Sequence, residues 1–192
     1  QNSNNLKAGE VTLAFKLYGL DAHEFGTNDL NIAHDKLMHL IILRDDVTGF
    51  QHVHPEYQNG RWTVKTTIPE QGGYNMYVDV VPKEESPIIL RVPLTIGGKT
   101  VQEKFPPITP NMTVSQDGFQ LKLVTTFALK TQEHTKLTFV LSRNGQPVTQ
   151  IDQYLGAFGH VVVTRHGDPA DYLHAHPLTD SKPINGQVEF EA

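Results

Sequence analysis

Leu37-Met38-His39-Leu40-Ile41-Ile42-Leu43-Arg44, a short Asp-rich turn, then Phe50-Gln51-His52-Val53-His54-Pro55: this stretch decides the fold, because the chain carries it twice. Downstream, Phe158-Gly159-His160-Val161-Val162-Val163-Thr164-Arg165 and a second Asp-containing turn lead into Tyr172-Leu173-His174-Ala175-His176-Pro177. With 10 His and 12 Pro in 192 residues, random order would give roughly 0.03 copies of His-x-His-Pro. Two copies, each preceded by a further His, mark an internal repeat.

Strand patterns surround both copies. Val11, Leu13, Phe15 and Leu17 alternate with polar neighbours, as do Phe119, Leu121 and Leu123, then Leu137, Phe139 and Leu141, the period of half-buried strands. Leu37 to Leu43 and Val161 to Val163 are continuous apolar runs, as expected of central strands. Turn formers at Asn59-Gly60, Gly72-Gly73, Gly97-Gly98 and Asn144-Gly145 separate the segments, and no amphipathic helix stands out. The pattern predicts an all-β chain of two tandem antiparallel β-sandwich domains. Residues 8–98 form the first, and 99–117, with Pro106-Pro107 and Pro110, read as a linker. Residues 118–192 form the second.

The repeat also exposes a shortfall. After His54 the first copy continues through Trp62 to Ile68, Tyr74 to Val81 and Ile88 to Ile96, whereas after His176 only Gln187 to Phe190 reads as a strand. Ile96 lies 42 residues past His54 and Ala192 only 16 past His176. The second domain is therefore expected to be incomplete at its C-terminus by about two strands, with exposed edges. That predicts either a shortened form of a longer chain or a second protein chain covering those edges.

Composition narrows the chemistry. Apolar residues make up 38% of the chain, with 15 Gly besides, which suits folded domains. No apolar run approaches the roughly 18 residues of a membrane helix, so no transmembrane segment is expected. The net charge is -5 without a basic cluster, which disfavours nucleic acid as a partner. Absence of cysteine removes disulfides, thiolate metal sites and thiol nucleophiles. The opening Gln1-Asn2-Ser3-Asn4-Asn5, without an initiator Met, suits a processed export product.

Ten histidines stand out against this background. Residues two apart on a strand face the same way, so His52 and His54 present their rings together, as do His174 and His176. A hairpin about Asp45–Gly49 sets His39 across from His54, with His52 on the diagonal, and the same construction about Asp168 sets His160 across from His176. Each copy thus offers three converging imidazoles. Such a trio suits Cu(II), Zn(II) or Ni(II), and the order of intrinsic affinities favours copper. His34, His166 and Glu56 are candidate additional ligands, and Asp35, Asp45, Asp46 and Asp168 could orient ring nitrogens. The two trios hold separate ions or face each other and share them.

Other readings stay open. Strand-end histidines can be structural, satisfied by backbone carbonyls, in which case the chain is a non-metal adhesion or interaction module. His23 and His134 read as surface residues, and Met38, Met76 and Met112 as core fillers. His52-Val53-His54 with Glu56 matches the cupin oxygenase motif poorly, and neither a nucleophile elbow nor a zinc-protease helix is present. Catalysis by a metal-dependent oxidase or hydrolase is the weakest option.

The double pattern Leu/Gly-x-His followed by Phe/Tyr-x-His-x-His-Pro resembles a group of bacterial exported or lipid-anchored proteins of cupredoxin-like or immunoglobulin-like domains that handle heavy metals, mainly copper. The likeness spans roughly Val11 to Ile96 and Leu121 to Phe190, and its specific part is the two His motifs. It implies a secreted or surface-anchored, extracytoplasmic metal-binding protein for storage, buffering or delivery, with a metal-exchange protein as partner.

Overall fold

The computed structural model describes residues 6–97, 112–124, 133–179 and 182–192. The chain divides into two compact units, Gln1–Pro106 and Pro107–Ala192, a boundary inside the expected linker. Both are all-β sandwich-type folds of antiparallel sheets without a barrel. The described helical structure is one 3-10 turn at Thr27–Asp29. No helix among the described residues is long and apolar enough to cross a membrane.

In the first unit, β1 (Gly9–Phe15), β5 (Glu56–Gln58) and β6 (Arg61–Ile68) form a sheet ordered β1-β6-β5. The second sheet runs β2 (Leu30–Asn31), β7 (Gly72–Pro82), β3 (Met38–Arg44), β4 (Gln51–Val53), with β8 (Ile88–Ile96) on the other flank of β7. Leu13 and Trp62 from one sheet meet Met38, Leu40, Ile42, Met76, Val78 and Val80 from the other in a single buried cluster. Alternate residues of β3 and β7 are what period two predicts for the inward face. β3, flanked on both sides, is buried from Met38 to Leu43, as its continuous apolar run implied. Gly72-Gly73, read as a turn, instead opens β7, where the two residues pair with Ile96 and Thr95, and the Asp45 carboxylate occupies the space a Cβ at Gly73 would need.

The second unit has β9 (Thr113–Gln116), β10 (Phe119–Val124), β11 (Lys136–Arg143), β12 (Gln146–Pro147), β13 (Val161–Arg165), β14 (Asp168–Ala175) and β15 (Gln187–Glu191). Residues 113–116, placed in the linker by sequence, pair with β10 as the edge of a sheet ordered β12-β11-β10-β9, to which β15 adds through β11. Their polar composition, Thr-Val-Ser-Gln, suits an exposed edge. β13 and β14 form a separate two-stranded sheet.

The repeat runs deeper than the histidines. β15 pairs with β11 as β6 pairs with β1. Asn59-Gly60 and Asn185-Gly186, the turns leading into β6 and β15, both have two positive φ angles, 51° and 74° against 53° and 71°, as a two-residue hairpin loop requires. Beyond β15, no described residues take the places of β7 and β8. With the hairpin β9–β10, the described part of the unit has seven strands. β13 is no central strand. Its residues are half-buried or exposed, since among the described residues β14 flanks it on one side only.

Candidate metal centre

Each histidine trio is carried by one antiparallel hairpin. The β3–β4 register pairs Leu40 with Val53 and Ile41 with His52, so one further step sets His39 opposite His54. In β13–β14, Val161 pairs with Ala175 and Val162 with His174, and one step on sets His160 opposite His176. Both registers match the expectation from sequence. The second hairpin reaches its register by another route: the chain turns at His166-Gly167, and a bulge between Thr164 and Arg165 restores the alignment. The partner strand steps from Tyr172 to Asp168 as the other strand advances by one, a shift of three residues; because that number is odd, without it the histidines would lie on opposite faces.

Proline ends both His-bearing strands. At Pro55 the chain leaves the sheet of β4 and enters the other sheet as β5, since proline cannot donate to a ladder. The trio therefore sits at the open end of its hairpin. His39 and His52 are buried and His54 is half-buried.

Three ring nitrogens converge in the first unit. His39 Nδ1 lies 3.1 Å from His52 Nε2 and 3.2 Å from His54 Nε2, and the three form a group with metal-ligand spacing. Two nitrogens bound to one tetrahedral ion at about 2.0–2.1 Å stand about 3.3 Å apart. Both distances from His39 Nδ1 are close to that spacing.

A backbone carbonyl, the kind of partner that the structural reading of the histidines also expects, fixes which nitrogen faces inward. His39 Nε2 lies 2.9 Å from the Ala33 carbonyl, and a carbonyl only accepts. The ring must donate there, leaving Nδ1 to turn its lone pair toward His52 and His54. The second unit repeats the arrangement, with His160 Nε2 donating to the Tyr154 carbonyl at 2.9 Å. In both cases the acceptor lies six residues before the histidine. Ala33 and Tyr154 each open a two-residue turn closed by backbone hydrogen bonds to Lys36 and Ala157 respectively. The turn residues are His34-Asp35 in one and Leu155-Gly156 in the other, all with positive φ. Only Gly156 signals this turn in the sequence.

The second trio is more open. His160, His174 and His176 are half-buried, with ring centroids 5.8 Å apart for His160–His174, 5.1 Å for His160–His176 and 4.3 Å for His174–His176. In the first trio the corresponding separations are 5.3, 4.7 and 5.1 Å.

The additional candidates divide. His34 stands beside His39, ring centroids 6.2 Å apart and edge-on, but is exposed. His166 occupies the turn of the β13–β14 hairpin, the end opposite the trio. Glu56 lies exposed on β5 and accepts a hydrogen bond from Gln58, because the crossing at Pro55 carries it to the other sheet. Asp45 and Asp46 also sit at a hairpin tip: Asp45 accepts from Asn75 at 2.7 Å, and Asp46 from Thr48. Met38 and Met76 are core residues as expected, whereas Met112 is exposed. His23 lies on the surface, paired with Asp29 at 3.0 Å. Hydrogen bonding to that carboxylate raises the His23 pKa above its ordinary value and lowers that of Asp29.

Comparison with curated proteins and with solved structures gave no match. The family described as "Domain of unknown function (DUF8832)" matches residues 2–96 and 113–192, and the chain belongs to it.

Proposed function

We propose that this family member is an extracytoplasmic transition-metal-binding protein, with copper(II) the preferred ion, whose work is storage, buffering or delivery. The observation that carries the reading is the convergence of three imidazole nitrogens at 3.1–3.2 Å around His39, with the ring tautomer set by the Ala33 carbonyl. Ligating histidines commonly donate their other N–H to a carbonyl or carboxylate, and both units do so. Imidazole-only donors favour copper over zinc or nickel by intrinsic affinity. The placement outside the cytoplasm rests on the likeness of the two His motifs to exported metal-handling proteins. A metal-exchange protein is the natural partner for delivery.

The competing reading, an interaction module with structural histidines, draws on the same distances, since an N–H···N hydrogen bond also spans about 3.1 Å. Calorimetric titration with Cu(II) and Zn(II) separates the two. The parent chain should bind Cu(II) more tightly than Zn(II). Changing His52 and His54 together to Ala should abolish binding at the first trio, and the His174→Ala, His176→Ala pair should do the same at the second. Affinity should collapse below about pH 6, where imidazoles gain protons. A parent chain that takes up no ion, or variants that bind as it does, would return the histidines to a structural role.

A further inference from the structure

His39 has a neighbour that the histidine motif does not announce. In the β3–β7 pair it stands directly opposite Asp79. Residues so placed project from the same face, with Cβ atoms about 4.5–5.5 Å apart. The packing identifies the face: Met38, Leu40, Val78 and Val80 belong to the buried core, so His39 and Asp79, the alternating residues, project from the other side of the sheet. With His54 on the opposite flank of β3, the row across the sheet reads Asp79, His39, His54. Asp79 is half-buried, where water screens charge less than at an open surface.

A divalent ion held by three neutral imidazoles leaves two positive charges at the site. One carboxylate a strand away halves that net charge, and its attraction scales with the charge of the ion. We propose that Asp79 is the charge partner of the first trio and makes it the tighter of two divalent-metal sites. The inference rests on the trios being metal sites. It concerns the field around the ligands, so Asp79 is a positioning and specificity-determining residue rather than a ligand. In the second unit the trio is built on β13 and β14, which among the described residues pair only with each other, so no described strand sets a carboxylate opposite His160 as β7 sets Asp79 opposite His39. Two sites that look alike in the motif therefore differ in charge.

The test is a calorimetric titration of the full chain carrying His174→Ala and His176→Ala, which isolates the first trio, with and without Asp79→Asn. Removing the charge is expected to weaken Cu(II) binding about ten- to a hundredfold, the order of the Coulomb attraction between a divalent ion and one half-buried carboxylate a strand away. Ag(I), with half the charge, should lose only about three- to tenfold, and Asp79→Glu should recover most of the Cu(II) affinity. A merely structural role would weaken both ions alike and would not be rescued. A second measurement needs no change at Asp79: in the unsubstituted chain, the first half-equivalent of Cu(II) should broaden the NMR signals of His39, His52 and His54 before those of His160, His174 and His176. Unchanged Cu(II) affinity in Asp79→Asn, equal losses for the two ions, or earlier broadening in the second unit overturns the inference and leaves the metal reading intact. Failure of the parent chain to bind Cu(II) ends both.

Discussion

In the first unit the His-bearing hairpin is embedded, with β7 against one side of β3 and β4 against the other; in the second, β13 and β14 pair only with each other among the described residues. Among the described residues, the buried apolar cluster of the first unit has fourteen members around Trp62 and Tyr74, and that of the second has Leu137, Ala175 and Phe190. A cavity of about 150 Å³, lined by Leu121, Phe139, Leu141, Phe158, Val188 and Phe190 among others, remains in the second unit. Yet both hairpins bring the same three histidines together, and both set the leading ring against a carbonyl six residues earlier. The comparison teaches that a hairpin and a two-residue turn suffice to gather the trio. The rest of the sandwich governs how firmly it is held.

That contrast can be broken most directly through stability. Phe190 is buried and stacks edge-on with Phe139, centroids 5.6 Å apart. Phe190→Ala should cost the second unit about 3–5 kcal/mol and, with so small a core, unfold it while the first unit persists. Urea denaturation followed by near-ultraviolet circular dichroism and Trp62 fluorescence would register the difference, and a loss below about 1 kcal/mol would contradict the picture of a core resting on few side chains. If the trios bind copper, Cu(II) at a hundred times its Kd should add about 2.7 kcal/mol to the unit that binds it. Chelation with EDTA should reverse the gain, as a thermal scan would reveal.

Smaller effects separate shared turns from local ones. Gly186 combines φ 71° with a backbone that leaves no room for a Cβ beside the Leu141 carbonyl, whereas Gly145, at φ 76°, faces open space. Gly145→Ala should cost about 1 kcal/mol and Gly186→Ala about 2 kcal/mol or more, compared by chemical denaturation. Equal costs would mean that the Leu141 carbonyl adds no constraint at Gly186.

The smallest effect belongs to the first unit. His23, raised by its hydrogen bond to Asp29, contributes stability that is complete below its ordinary pKa near 6.5 and disappears as pH climbs through the raised folded value. Asp29, lowered by His23 and by the Gly26 N–H, contributes above its ordinary value near 3.8 and stops contributing as pH drops through the lowered one. The pair is therefore at full strength between about pH 4 and 6.5. Asp29→Asn should bring the His23 midpoint back toward its ordinary value in an NMR titration. An unmoved midpoint would detach the pair from the pH response.

Much of this was legible in the sequence because period-two patterning and register are local properties. The alternation at Val11–Leu17 and at Leu137–Leu141 located β1 and β11, and symmetry about the hairpin loops set His39 against His54 and His160 against His176. Residues 113–116 were missed because an exposed edge strand has no buried face to impose alternation. The Ala33 and Tyr154 carbonyls were invisible for a different reason: any residue supplies a carbonyl, so sequence identity is silent about it. Asp79 escaped because its partnership with His39 depends on β7 returning to β3 across some forty residues, and pairing at that range leaves no spacing rule to read. Asp45 and Asp46 were placed near the trio by proximity in sequence, whereas the hairpin holds them at its far tip.

The two-residue turn that ties down each leading imidazole has an evolutionary consequence. It divides the labour of the centre between residues that must be histidine and residues that need only supply a main-chain oxygen at the correct height. If the trios bind metal, selection can rotate the leading ring, and so retune grip and release, by rewriting His34-Asp35 or Leu155-Gly156 while all six histidines stay in place.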